Sequence, residues 1–144
     1  MWARILTSSV LALALVFLLG TPLFAGMKHT SKPAVPFEVV RDARMFTIGK
    51  VGFAGQPSKA ETSLRDLLSH GNAKLEINRI LSSGTKAGRL YALLGLKKLN
   101  DPAFHKALPG FLSDASDVET MEGCIVKHTT VKAIAKRISD GEFK

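Results

Sequence analysis

Hydrophobic and polar positions alternate along this chain in three distinct regimes. The first is an unbroken apolar run, Val10 to Leu19, preceded by Arg4 and followed by Gly20, Thr21 and Pro22. A second regime, from Gly26 to Pro57, has short apolar groups (Phe37, Val39 and Val40, then Met45, Phe46 and Ile48) among Pro33, Pro36, Gly49, Gly52 and Gly55. No helical period is sustained there, and the prolines and glycines argue against a long helix. The third begins at Ser58, where apolar residues recur at helical spacing.

That third regime is punctuated well enough to predict helices over Lys59–Ser69, Ala73–Leu81, Lys86–Leu99 and Val131–Ser139. Ser58-Lys59-Ala60-Glu61 has the form of a capping box, in which Ser58 and Glu61 satisfy each other's free backbone donors. Asn72 and Thr85 are the predicted caps of the next two helices, with Leu75, Ile77, Ile80 and Leu81 as the apolar positions of the former. The strongest pattern belongs to Lys86–Leu99, where Ala87, Leu90, Tyr91 and Leu94 make a wide stripe and Lys97 and Lys98 complement the helix dipole. Asp101-Pro102 restarts the chain, Pro109 is expected to end or kink the helix that follows, and Thr129 or Thr130 is expected to cap the last. Between residues 118 and 128 two short β-prone runs flank Gly123, the pattern of a small hairpin. The fold class expected is therefore mainly α: a compact bundle of helical hairpins with a small β-hairpin near residues 118–128.

The apolar run at the start changes the domain picture. With Leu23-Phe24-Ala25 as a small-residue cleavage site it has the layout of a secretory signal. Polar residues at both ends leave it nearer the length of a signal core than of the roughly 20 residues that span a bilayer, the alternative being an uncleaved anchor. The expected organisation is a signal peptide at 1–25, an extended Gly/Pro-containing segment at 26–57 and a helical domain at 58–144. The chain is then exported, to a periplasmic or extracellular compartment, and touches a membrane through this segment only if it is uncleaved. Removing 25 of 144 residues leaves 119, one domain's worth. Cys124 is the only cysteine, so the fold stands without an internal disulfide.

Charge narrows the partners. Without Arg4 there are 19 basic residues against 12 acidic ones, a net charge of +7. The cations are spread singly, with only Lys97-Lys98 and Lys136-Arg137 adjacent, and no aromatic residues interleave to stack on bases. Nucleic acid is not expected as a partner. An anionic envelope surface, lipid head groups or cell-wall polymer, fits the bias better, as does a protein partner on the helical scaffold, with Arg89 and Tyr91 as contact candidates if exposed.

Motifs for chemistry are few. Gly49-Lys50-Val51 fails as a phosphate loop because Ser or Thr does not follow the lysine. His29, His70, His105 and His128 have no metal spacing, and no cofactor or metal is expected. Glu122, Cys124 and His128 are the one grouping that resembles nucleophilic chemistry. On a strand, however, Cys124 and His128 stand about 13 Å apart, and an unpaired cysteine between Gly123 and Ile125 reads as a small buried hydrophobe. Cys124 is thus the sole catalytic candidate. The function expected is that of an exported non-enzymatic helical module binding a protein partner or an anionic envelope surface. The alternatives are a thiol-dependent redox or nucleophilic protein centred on Cys124, and a structural envelope protein without a specific ligand.

Two resemblances bear on this. Thr85 to Leu112, with its small and apolar first helix and Asn100-Asp101-Pro102 turn, resembles a HEAT-type helical hairpin. A solenoid needs three or more such units, and Lys59 to Leu81 matches only in outline, so the resemblance implies a hairpin scaffold and not an array. The chain after the signal also resembles a group of uncharacterised exported bacterial proteins, through Ala87-Gly88-Arg89-Leu90-Tyr91-Ala92-Leu93 and Gly123-Cys124-Ile125. That likeness implies export and no particular activity.

Overall fold

The computed structural model describes residues 35–143. The signal-like segment and residues 26–34 lie outside them. Among the described residues there are six helices and three strands: α1 (Pro36–Arg41), β1 (Met45–Phe46), α2 (Lys59–Ser69), α3 (Ala73–Ser83), α4 (Lys86–Lys98), α5 (Ala103–Ser113), β2 (Asp117–Glu122), β3 (Ile125–Thr130) and α6 (Val131–Asp140). The protein is mainly helical with a small three-stranded sheet. No helix among the described residues is long and apolar enough to cross a membrane.

α4 is the centre. Every residue from Ala87 to Leu96 is buried except half-buried Arg89, so this helix is enclosed on all sides instead of presenting one stripe. Two glycines permit that enclosure. A Cβ on Gly88 would stand 2.4 Å from the Arg41 carbonyl oxygen and 2.7 Å from that of Val40, and one on Gly95 would stand 2.9 Å from Ile77 Cδ1. The end of α1 therefore sits directly on the α4 backbone. Thr85 fastens the contact: its hydroxyl caps α4 by accepting from the Gly88 N–H at 3.0 Å and donates to the Ala43 carbonyl at 2.6 Å.

The hairpin predicted near 118–128 is present as β2 and β3, antiparallel with Val118 opposite Thr129 and Glu122 opposite Ile125; Gly123, at φ 60°, makes the turn. The sheet's third member, β1, pairs parallel to β2 with Met45 opposite Glu119. Strand order β1-β2-β3 leaves β3 at an edge. α6 closes the far side on Val131, Ile134, Ala135 and Ile138, and Lys97 Nζ donates to the carbonyls of Ile138 and, at 2.7 Å, Ser139 in its last turn. A cation from α4 thus satisfies orphan carbonyls at the negative end of α6.

Several local expectations change. Among the described residues of the segment read as extended is a short helix, α1, begun by Pro36 at its first position and buried through Val40. Pro109 does not end α5, which runs four residues further because burial of Phe111 outweighs one missing hydrogen bond. Asn72 does not cap α3; its amide donates to Glu76 Oε1 at 2.9 Å. Leu75 points away from the core and is 64% exposed, because the α3 contact face is narrower than its apolar content. Ser58 caps α2, but Glu61 does not reciprocate. Its buried carboxylate accepts from the Gly49 N–H at 2.7 Å and pairs with Arg65.

The glycine contacts give a paired prediction. Gly88→Ala should destabilise the fold by about 1–3 kcal/mol, as overpacking does. Gly110→Ala, where a Cβ meets nothing within 4 Å, should stabilise by about 0.5–1 kcal/mol through helix propensity alone. Urea unfolding of both variants checks this; equal effects would mean that the α1–α4 approach is not tight.

Candidate functional site

Tyr91 does not meet the condition for a contact residue. It is fully buried in the middle of α4, its ring centre 4.8 Å from that of Phe46 with the planes tilted by 42°. Its hydroxyl accepts from the Thr47 N–H at 2.8 Å and donates to the Thr47 carbonyl at 2.7 Å. Ser58 Oγ, already the cap of α2, lies 3.3 Å from both the Tyr91 hydroxyl and the Thr47 carbonyl. A phenol in an apolar core needs such partners, and here they belong to the loop that leaves β1. Burial pushes the Tyr91 ionisation above the usual phenol range, partly offset by the bonds to Ser58 and Thr47. Arg89 is half-buried, its guanidinium 5.1 Å from the Phe111 ring centre, and so serves packing between α4 and α5.

Cys124, expected to be buried, is exposed. It occupies the β2–β3 turn, where no second layer covers the chain. The structure does not gather the other two members of its group around it. Glu122 pairs with Lys127 at 2.5 Å, which holds its carboxyl below the usual range, and its other oxygen lies 3.8 Å from Arg137. His128 stands opposite Glu119, four residues along from Cys124.

The turn that carries Cys124 is joined to a second one. Val51 bridges to Gln56 and to Gly123, and the Gly52 N–H donates to the Gly123 carbonyl at 2.8 Å. The two turns form one tip. Gly52 and Gly55, at φ 67° and 58°, take backbone conformations that a side chain would strain, and Phe53 between them is completely exposed. Ile125 and Val126, 64% and 46% exposed, extend the apolar surface on the neighbouring turn. Residues 43–60 carry Arg44, Lys50 and Lys59 and no acidic residue. Among the described residues none of these three cations has an ion-pair partner.

Beside this tip runs an apolar groove of about 240 Å³ between α1, β1, the start of α2 and the end of β2, with Ala43, Met45, Val51 and Met121 among its walls. Thr47 also lines it. Sequence reasoning singled out Met45 and Phe46 but passed over Thr47, because an isolated threonine in a loop carries no periodic signal.

Tyr91 is the only tyrosine, so its phenolate absorbance reports one site. Because the folded ionisation is raised, the unfolded chain loses its proton first; the stabilisation is intact below about pH 10 and declines as pH rises beyond it. Phenolate should appear together with unfolding, and Tyr91→Phe, which strips the buried Thr47 N–H of its partner, should cost about 1–3 kcal/mol. A phenolate signal that develops in the folded protein near pH 10 would contradict this. For Cys124, a thiol reagent should label the native protein at nearly the unfolded rate; protection by about tenfold or more would mean the turn is covered.

No protein-family model matches the chain, and neither a curated protein nor a solved structure does.

Proposed function

We propose that this chain is an exported, non-enzymatic helical module that docks on an anionic envelope surface through the tip formed by residues 50–56 and 123–126. The observation that carries this reading is Phe53, completely exposed on a loop held by main-chain bonds, in a stretch (43–60) with three cations and no carboxylate, while Glu122 at the border of the tip is already paired with Lys127. An aromatic ring displayed at a turn gains by entering an interface, and neighbouring Arg and Lys residues favour a negatively charged one. The helices behind it are read as a compact bundle of hairpins, with α4 and α5 as the HEAT-like pair. The tight turn at Asn100, at φ 51°, supports that pairing. Export itself rests on the apolar run and on Ala25.

The exposure of Cys124 favours a second reading, in which this turn pairs two chains through a disulfide in an oxidising compartment. A non-reducing gel of protein from its native compartment separates the two: a covalent dimer makes Cys124 an assembly residue.

The described core draws on residues between Phe37 and Phe143, so a chain beginning at Gly26 retains all of it. That form should co-sediment with vesicles of equal phosphatidylglycerol and phosphatidylcholine, bind pure phosphatidylcholine weakly, and release as salt rises. Phe53→Ser should weaken vesicle binding by about tenfold, the effect of withdrawing one large apolar side chain, and Lys50→Glu should weaken it further. Equal binding by Phe53→Ser and the parent would remove the tip from the function.

A further inference from the structure

We propose that the cavity between the end of α4, the start of α5 and the last turn of α6 binds a small organic anion, a carboxylate on a compact apolar body. This goes beyond surface docking and does not depend on it, since the cavity shares no residue with the tip or with the groove beside β1. Phe104, His105 and Leu108, at three- and four-residue spacing, share one face of α5 and make one wall. α4 contributes Leu96 and Lys97, and the turn between the two helices contributes Asn100. That turn is closed by two main-chain bonds of 3.0 Å, from the Asn100 N–H to the Lys97 carbonyl and from the Asp101 N–H to the Leu96 carbonyl. Asn100 itself is in the left-handed region, at φ 51°.

The observation that points to a ligand is the Lys97 ammonium, a half-buried cation fixed in the cavity wall without a carboxylate partner among the described residues. Two of its three donors go to the main-chain carbonyls of Ile138 and Ser139, and it stands 5.8 Å from the centre of the Phe104 ring. The negative end of α6 offsets about half a unit of its charge. The remainder has no partner. Asp101, the one carboxylate in the wall, is 8% exposed and already engaged: it accepts from the Ala103 N–H at 2.8 Å and pairs with Lys74 of α3 at 2.8 Å. Lys74, and then the Ala103 N–H, hold its ionisation below the usual carboxylate range, so it stays charged and balanced by α3. A carboxylate entering the cavity can accept the third Lys97 donor and the Asn100 side-chain amide, with His105 beside it. Leu96, Phe104 and Leu108 take the apolar body. A cation held by two carbonyls loses little freedom on binding, unlike a solvated surface lysine. At about 300 Å³ the cavity stands at the small end of the range for small-molecule sites, which favours a compact body over a long chain.

The test uses benzoate and the chain from Gly26, followed by amide chemical shifts. Benzoate should produce saturable shifts centred on Lys97, Asn100 and His105. Benzyl alcohol, with the ring and no charge, and acetate, with the charge and no ring, should each bind at least about tenfold more weakly. Lys97→Met should lower benzoate affinity by about tenfold and leave the weak binding of benzyl alcohol unchanged, a split that mere loosening of the fold does not produce. Because Lys97 also serves the end of α6, Asn100→Gly supplies a second variant. Glycine takes φ 51° without strain, so the melting temperature should hold or rise, while benzoate affinity falls by about fivefold with the amide gone. Phe53→Ser should leave benzoate binding unchanged, so failure of the cavity and failure of the tip are read separately. Absence of saturable shifts, benzyl alcohol binding as tight as benzoate, or affinity indifferent to both the Lys97 and the Asn100 substitutions would overturn the proposal.

Discussion

The phenol of Tyr91 is the constraint on which the rest of the structure depends. A phenol on a helix enclosed on all sides needs partners, and this one finds them in Thr47, through both its N–H and its carbonyl, with Ser58 Oγ at 3.3 Å. The bond pair fixes the chain immediately after β1 against the middle of α4. With that point held, Phe46 packs against the Tyr91 ring, β1 meets β2 in parallel register, and Ser58 comes close enough to join the same cluster while capping α2. Glu61 then finds Gly49 within reach. A loop rich in glycine is thus tied at Thr47, Gly49 and Ser58, although almost none of it belongs to a regular element.

The enclosure of α4 has a second requirement, close approach. Gly88 faces the backbone of α1 at distances that exclude even a methyl group, and a Cβ on Gly95 would press on the end of the Ile77 side chain of α3. Small residues on a central helix ordinarily weaken it, by about 0.5–1 kcal/mol for each glycine. Here the loss is offset by burial of Val40, Ile77 and Leu64 around it. The same geometry brings the carbonyls of Arg41 and Ala43 to the Thr85 N–H and hydroxyl, so that α1, only six residues long, is held by hydrogen bonds at its end as well as by packing.

Fixing the 45–61 segment from within is what leaves its outer side available. Of its remaining residues, Met45, Val51, Lys59 and Ala60 line the groove, and 52–55 rise into the tip. The tip is stiffened by the bridge from Val51 to Gln56 and the bond from Gly52 to Gly123. A fully exposed phenylalanine on a stiff turn presents its area with little ordering left to lose on binding. The cations at Arg44, Lys50 and Lys59 share that side of the chain, whereas the carboxylates nearest in sequence, Asp42 and Glu61, are already paired with Arg41 and Arg65. Pairing inside the fold leaves the positive charge uncompensated where the apolar surface emerges.

Periodicity and punctuation were enough to place α2, α3, α4 and α6 to within about two residues, since Ser58, Thr85 and Thr130 act through contacts with the next turn of the same helix. The β2–β3 hairpin was legible for the same reason: Gly123 and its flanking runs are neighbours in sequence. What depended on distant residues was not legible. That the tyrosine in the α4 stripe turns inward to Thr47, 44 positions away, follows from a contact no local pattern records. Glu61 was readable as half of a local pair, but a buried backbone donor at Gly49 competes for it once the chain folds. Cys124 looked like a buried hydrophobe by composition, yet the hairpin turn carries it beyond any covering layer. The groove and the tip arise where α1, β1, α2 and β2 converge, and only the tertiary structure brings Arg44, Thr47 and Lys59 to one side. Local sequence determines elements because their bonds are short-range; the candidate site is made of side chains whose proximity is set by packing.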